Sequence, residues 1–422
     1  MERKRNSKRN FEFSVRNTAS FTLIELLVVI GILGVLATAV VLVLNPAELL
    51  KQARDSTRLS DLASLNQTLS LFQTDQYNRS LGTSSVVYVS VPDSSPTCLN
   101  LGLPTLPGGW SYGCAPASTL QKVDGTGWIP VPLNLISSGS PLSKLPIDPV
   151  NATSTGNYYT YTPGGSWELT TLMESSKQKM GGGSDKTSTD GGSYPELYEV
   201  GTDLSLLPIS RDPSLVGYWK FDEGTGGTAY DASGHGNTGT LTNNPTWQTS
   251  ASCVKGGCLS FDSSSNNYSN MGTSTSLNLQ DSFSIVFWTY ARSETAINPR
   301  IFAKYIDANN NYRVYSKGIN ATSFGARFIR NGVSYDNQAN LPSFQWNTWY
   351  HVAVVFNGGL SFYINGSSVS NYAGIAPSIG ADTNLYIAKS ESGYFNGVVD
   401  NARIYNRALS AAEVAAIYNS GN

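Results

Sequence analysis

The sequence predicts an α+β chain: a long apolar helix at the N-terminus, a small sheet behind it, and an all-β sandwich over the second half. Three observations carry that reading. Residues 21–44 are apolar apart from Thr22, Glu25, Thr38 and a few small residues. Leu59, Leu62, Leu65, Leu69 and Phe72 recur at spacings of three and four, the apolar stripe of an amphipathic helix. From Leu215 to Tyr405, short alternating segments are separated by Gly, Asn and Ser turns, the pattern of a sandwich. A length of 422 residues allows two or three domains, and 40% hydrophobic residues supply real cores. A net charge of −2 argues against nucleic acid as the primary ligand, and only two histidines, His235 and His351, exclude HExxH zinc sites and most histidine-based acid–base chemistry.

The first twenty residues hold six basic and two acidic side chains. The apolar stretch behind them has the length to span a bilayer core of ~30 Å as a helix. Its basic flank places residues 1–20 in the cytoplasm and the remainder outside, a single pass through the inner (cytoplasmic) membrane. Glu25 is the anomaly, since a carboxylate within an apolar helix costs about 2.5–3.5 kcal/mol on insertion scales. It is either functional or a carboxylate near the helix start that snorkels to the interface and favours the helix dipole. The string Ser20-Phe21-Thr22-Leu23-Ile24-Glu25-Leu26-Leu27-Val28-Val29-Ile30 resembles the class III signal of type IV pilins and pseudopilins. The resemblance implies that residues 1–20 are a leader cut by prepilin peptidase between Ser20 and Phe21, with methylation of the new amine. It also implies that Glu25 neutralises the Phe21 amine of a neighbouring pilin subunit during assembly. The family usually has Gly before the cut, where this chain has Ala19-Ser20. A buried carboxylate is strongly unfavourable unless paired, so Glu25 would set the register between packed helices.

Residues 21–180 are read as a pilin-like domain whose transmembrane helix covers 21–44. Pro46 should kink or locally melt the helix. The amphipathic stripe beyond it is expected to pack on the domain's own small sheet. Pro146-Ile147-Asp148-Pro149 reads as a turn, and Asn157–Tyr161 and Ser166–Leu172 as two strands. This resembles the C-terminal sheet of major pseudopilins, in which an Asp-Pro turn leads into a tyrosine-rich hairpin. The Gly/Ser/Asp-rich stretch within residues 181–213 reads as a linker. Major pseudopilins bind calcium near such a loop, but Asp185 and Asp190 are few carboxylates for an ion that takes 6–8 oxygens.

Residues 214–422 are read as one domain. Asn357-Gly358-Gly359 and Asn365-Gly366 fit hairpin turns, and Ser410-Ala411-Ala412-Glu413 is a capping box that opens a short final helix. Val216–Glu223, Asp231-Ala232-Ser233-Gly234, Trp349–Val355, Phe362–Gly366 and Gly397–Ser410 resemble, in order, the laminin G-like (concanavalin A-like) jelly roll. The resemblance implies a binding module, often with calcium. Asp231 and Asp400 are the better candidate ligands for Ca²⁺, with Asp222 and Asn401 beside them, if the first and last strands lie side by side. The competing reading has Asp231 cap its own turn. Gly234–Gly239 matches GxGxxG literally but lacks a βαβ context, so it is read as a polar turn. His351, mid-strand between aromatics, is read as a packed core residue.

Cys98, Cys114, Cys253 and Cys258 split two and two between the domains. An exported topology and the lack of His partners favour disulfides over metal, and the simplest pairing is Cys98–Cys114 and Cys253–Cys258, with three connectivities formally open. The expected function is a minor or tip pilin-like subunit, not an enzyme, that displays its jelly roll for adhesion to extracellular glycans or surface proteins. Two alternatives stand beside it. One is a pseudopilin of a type II secretion or DNA-uptake machine. The other is a pilin-anchored surface glycosidase, which needs a carboxylate pair ~5–9.5 Å apart across one cleft.

Overall fold

The computed structural model describes residues 22–279, 282–292, 300–307, 310–316, 323–330, 333–339, 344–373, 383–390 and 393–421. The leader, Ser20 and Phe21 lie outside the described residues. The chain divides into two units, Met1–Leu50 and Lys51–Asn422.

In the first unit, helix α1 runs Leu23–Leu44, opened by a capping box between Thr22 and Glu25. Its side chains are described to Leu36, and these are exposed. Among the described residues no helix is long and apolar enough to cross a membrane. The helix stops at Asn45, which adopts a left-handed φ of 38°, and α2 (Pro46–Asp75) starts immediately after it. Pro46 therefore sits at a first helical position, where its missing N–H removes no hydrogen bond. Here the break that the sequence predicted at the proline falls one residue earlier.

The second unit is built in layers. The stripe of α2 buries Leu62, Leu65, Leu69 and Phe72 against Trp128, Tyr159, Tyr161, Trp167 and Leu169. Tyr161, Trp167 and Leu169 stand on a five-stranded sheet, β1 (Val86–Val89), β2 (Ser111–Gly113), β3 (Thr160–Pro163), β4 (Trp167–Leu172) and β5 (Leu197–Gly201), in the order β2-β1-β3-β4-β5. Strands β3 and β4 are the predicted tyrosine-rich hairpin. Strand β5 falls in the segment that composition marks as a linker. There Tyr194, Leu197, Leu207 and Ile209 are all buried, so the sheet continues past residue 180. The Gly and Ser content masked this because the loop before β5 is folded on its own carboxylates. Asp185 accepts from the N–H of Gly181, Thr187 and Ser188, and Asp190 from those of Gly192 and Glu199.

The Asp-Pro turn is fixed to α2 by charge. Arg58, fully buried, makes a two-pronged bond to Asp148 at 2.6 and 2.9 Å and a third to Asp55 at 2.8 Å. Its Nη1 also lies 2.7 Å from Glu174. Asp148 in turn accepts from the N–H groups of Val150 and Asn151.

The sandwich follows from β6 (Leu215–Trp219). One sheet has the order Ser367–Ala373, Gly359–Ile364, Trp349–Asn357, Ser282–Ala291, Gly397–Tyr405, Cys258–Phe261, Thr246–Gln248, with β6 also paired to Gly397–Tyr405. The facing sheet holds eight strands, from Val333–Gln338 at one edge to Thr228–Ala229 at the other. Alternation along a strand sends successive side chains to opposite faces. Phe283, Ile285 and Phe287 thus enter the sandwich core with Phe302, Val314, Val352 and Val354. Val286 points the other way, into a second core that also holds Val87, Val89, Tyr158, Tyr194 and Leu197 of the first half. The closing helix Ala411–Ser420 adds Val414 and Ile417 to that core. The small sheet therefore has α2 on one face and the sandwich on the other.

Candidate functional site

The structure contains the disulfides Cys98–Cys114 and Cys253–Cys258, with Cα–Cα distances of 5.4 and 5.5 Å. The second encloses the four residues Val254–Gly257, whose backbone is held by two of the predicted calcium ligands. Asp400 accepts from the N–H of Val254 at 2.9 Å and Lys255 at 3.2 Å, and Asp222 accepts from that of Gly257 at 2.5 Å. The other Asp400 oxygen takes the Asn401 amide, and Asn401 itself accepts from the Tyr218 hydroxyl. Burial raises the Asp400 carboxyl to about 7 despite these donors. Gly256, at φ +68°, approaches so closely that a Cβ there would collide with the Asp222 carboxylate.

Asp231 does something different. Its oxygens accept from the N–H groups of Tyr218, Ser233 and Asn237 and from the Ser233 hydroxyl, all at 2.8–2.9 Å. First and last strands do lie side by side, since Trp219 pairs Ala402. Asp231, however, bridges to Trp219 from the opposite edge of β6. It is thus about two strand spacings, ~10 Å, from the final strand. The expected convergence of Asp231 and Asp400 on one cation is corrected on that ground: each carboxylate closes a separate backbone turn. Among the described residues no group of three or more His, Cys, Asp or Glu is arranged to hold a metal. Replacing Asp231 by Ala is expected to cost about 1–3 kcal/mol, because three buried N–H donors lose their acceptor. The loss should be the same in calcium and in chelator; a melting temperature that depends on calcium in the parent and not in the variant would contradict it.

A different place on the sandwich has the character of a ligand site. Tyr290 and Trp349 are direct cross-strand partners, and they end the strands Ser282–Ala291 and Trp349–Asn357. They lie on the outward face, in line with Val286 and Trp288. Trp288 and His351 are covered there by Tyr418 of the closing helix, at ring distances of 5.4 and 5.6 Å. His351 is fully buried, as its sequence context suggests, and burial pulls its pKa down to about 3. One step further along, the cover ends. Tyr290 and Trp349, with ring centroids 5.8 Å apart, line a cleft of about 480 Å³ with Gln248, Ser252 and Arg292. The disulfide-bonded Cys253 forms part of its rim. An aromatic surface ringed by a few polar groups is the usual make-up of a small-ligand site. Sequence reasoning did not single out these residues. Alternation does place Tyr290 outward, but the pairing that brings Trp349 to it across 58 intervening positions has no local signal.

Comparison with known proteins agrees with this architecture. Residues 262–415 match the family model of the concanavalin A-like lectin/glucanases superfamily, and residues 15–41 match that of the prokaryotic N-terminal methylation motif. No curated protein matches the chain. Among solved structures, domain 4 of an extracellular arabinanase from Geobacillus stearothermophilus, in complex with arabinotriose, is 19% identical. It is matched over 48% of this chain and 97% of its own, with a TM-score of 0.41. The binding domain of a paraclostridial mosquitocidal protein is 18% identical, over 49% of this chain and 52% of its own, with a TM-score of 0.37. The chain thus carries the methylation motif of type IV pilins at its N-terminus and a concanavalin A-like lectin/glucanase domain in its second half.

Proposed function

We propose that the protein is a type IV pilin-like subunit, minor or at the tip, that binds saccharides through its concanavalin A-like domain at the cell surface. The observation that carries the binding role is the Tyr290–Trp349 pair in its open cleft. A flat aromatic face suits the apolar face of a sugar ring, and polar side chains at its edge suit the hydroxyls. A non-catalytic role is supported by the described lining, since a glycosidase needs two carboxylates flanking the bond and none lines this cleft among the described residues. The N-terminal motif supports anchoring in the inner membrane, cleavage of residues 1–20 by prepilin peptidase, and incorporation among other pilin subunits. The test of binding is a glycan array probed with the full chain in detergent. Trp349→Ala should reduce binding about tenfold or more without changing the fold. Binding that is insensitive to this substitution refutes the assignment of the cleft.

Assembly is tested separately. In the single chain Glu25 accepts from the Thr22 N–H at 2.8 Å and so caps its own helix. Pairing with a neighbour's Phe21 amine would add an opposite charge to the same carboxylate. Glu25→Ala is expected to leave the protein inserted and cut but absent from sheared filaments, with Phe21 as the mature N-terminus. Normal incorporation of the variant, or another N-terminus, would sink this reading.

A further inference from the structure

We propose that the cleft takes an acidic saccharide, and that Arg292 binds its carboxylate. This rests on the assignment of the Tyr290–Trp349 cleft as a saccharide site. Arg292 is the one charged residue in the described lining. Its guanidinium is held in place by neutral acceptors alone: Nη1 donates to the Phe261 carbonyl at 3.3 Å and the Asn396 side chain at 3.4 Å, and Nη2 donates to the Ser260 hydroxyl at 2.9 Å. No carboxylate lies within ion-pair distance of it among the described residues; its charge reaches Asp262 only through space, helping to hold that carboxyl below its usual range. A guanidinium carries five N–H donors. Three are used, which leaves Nε–H and one Nη2–H. A guanidinium with donors to spare is the group that meets both oxygens of a carboxylate in parallel.

The surroundings favour an acceptor-rich ligand as well. The side chains of Gln248, Ser252, Tyr290 and Trp349 make no hydrogen bond within the described residues. The indole N–H is donor only, and the amide and both hydroxyls can donate. A ligand that brings an anion to Arg292 and a sugar ring to one of the aromatic rings would use the charge, the free donors and the apolar ring together. A neutral saccharide would leave the guanidinium edge solvated and contribute nothing there.

The experiment uses the full chain in detergent and matched glycan pairs that differ in one acidic group: sialylated glycans against their desialylated forms, and oligouronides against their methyl esters. Sulfated glycans on the same neutral cores form a third arm. The carboxylated member should bind about ten- to hundredfold more tightly than its neutral partner, the range expected for a bidentate bond to a charged group. Arg292→Lys retains the charge but not the fork, and it should lose most of that preference while melting as the parent does. Arg292→Gln should abolish the preference and retain weak binding to neutral sugars through Trp349. Equal binding of acidic and neutral partners overturns the inference and leaves the saccharide reading standing. Preference for sulfated over carboxylated glycans also overturns it. Binding to no glycan overturns both.

Discussion

Arg58→Met should cost about 3–5 kcal/mol of stability, the effect expected when one partner of a buried ion network is removed. The side chain is 0% exposed, and so are its partners Asp55 and Asp148. Met fills most of the volume, so the loss is electrostatic more than steric. Asp148 would remain buried with only the N–H groups of Val150 and Asn151, and Asp55 with those of Glu174 and Ser175. Glu174 retains Arg54, at 2.7 and 3.0 Å. Equilibrium unfolding in urea measures the change directly. Arg58→Lys should fall in between, since an ammonium offers charge without the two-pronged geometry. In the double variant Arg58→Met/Asp148→Asn the second change should be less costly than Asp148→Asn alone, because the charge it removes is already unpaired. A loss below about 1 kcal/mol for Arg58→Met, the value typical of a surface pair, would show that the network is solvated in solution.

That network explains why the Asp-Pro turn was readable and its role was not. Pro146-Ile147-Asp148-Pro149 announces a turn from local chemistry alone. That the carboxylate reaches Arg58 on α2, 90 positions earlier, is a tertiary fact. The same contrast runs through the chain. The stripe on α2, the tyrosine hairpin and the alternating strands were legible because their signal is periodic and local. The polar face of the small sheet misleads for the same reason. Thr160, Thr162, Glu168 and Thr170 alternate with Tyr161, Trp167 and Leu169, which reads as a sheet with one wet face. All four are in fact fully buried. The sandwich covers them, and nothing in a local pattern says that a second layer will arrive from residues more than forty positions later. The expected convergence of Asp231 and Asp400 was misplaced through the same limit. The first and last strands were correctly placed side by side, but Asp231 reaches β6 from its opposite edge, and that is set by the turn it closes.

The buried seam between small sheet and sandwich makes Lys51–Asn422 one cooperative unit, and the second large effect is expected there. Tyr218→Ala should cost about 3–5 kcal/mol, the range for deleting a buried ring. The Tyr218 ring packs edge-on against Tyr194 at 6.0 Å, and its hydroxyl accepts from Arg403 and donates to Asn401, each at 2.6 Å. Lys220 lies over the Tyr194 ring at 4.1 Å, and backbone bonds from Thr105 to Gly234 and from Ser210 to Ala232 stitch the same junction. Unfolding should therefore show one transition, and the variant should lower amide protection in β3 and β4 as much as in Ser282–Ala291. A variant that loosens the sandwich alone, or two separated transitions in the parent, would refute the shared core. The seam also has a pH signature. Glu168 and Glu199 face each other there, and burial raises both carboxyls, Glu199 well above its usual range. Groups whose folded pKa is raised bind protons more tightly in the folded state, so their contribution is complete below about pH 4.5 and declines as pH rises above it. Stability should thus fall as pH rises above about 4.5. Glu199→Gln, which retains hydrogen-bonding capacity without titrating, should flatten that decline, and an unchanged slope would place its origin elsewhere, in Asp190, Glu223 and Asp400, which burial raises to about 7.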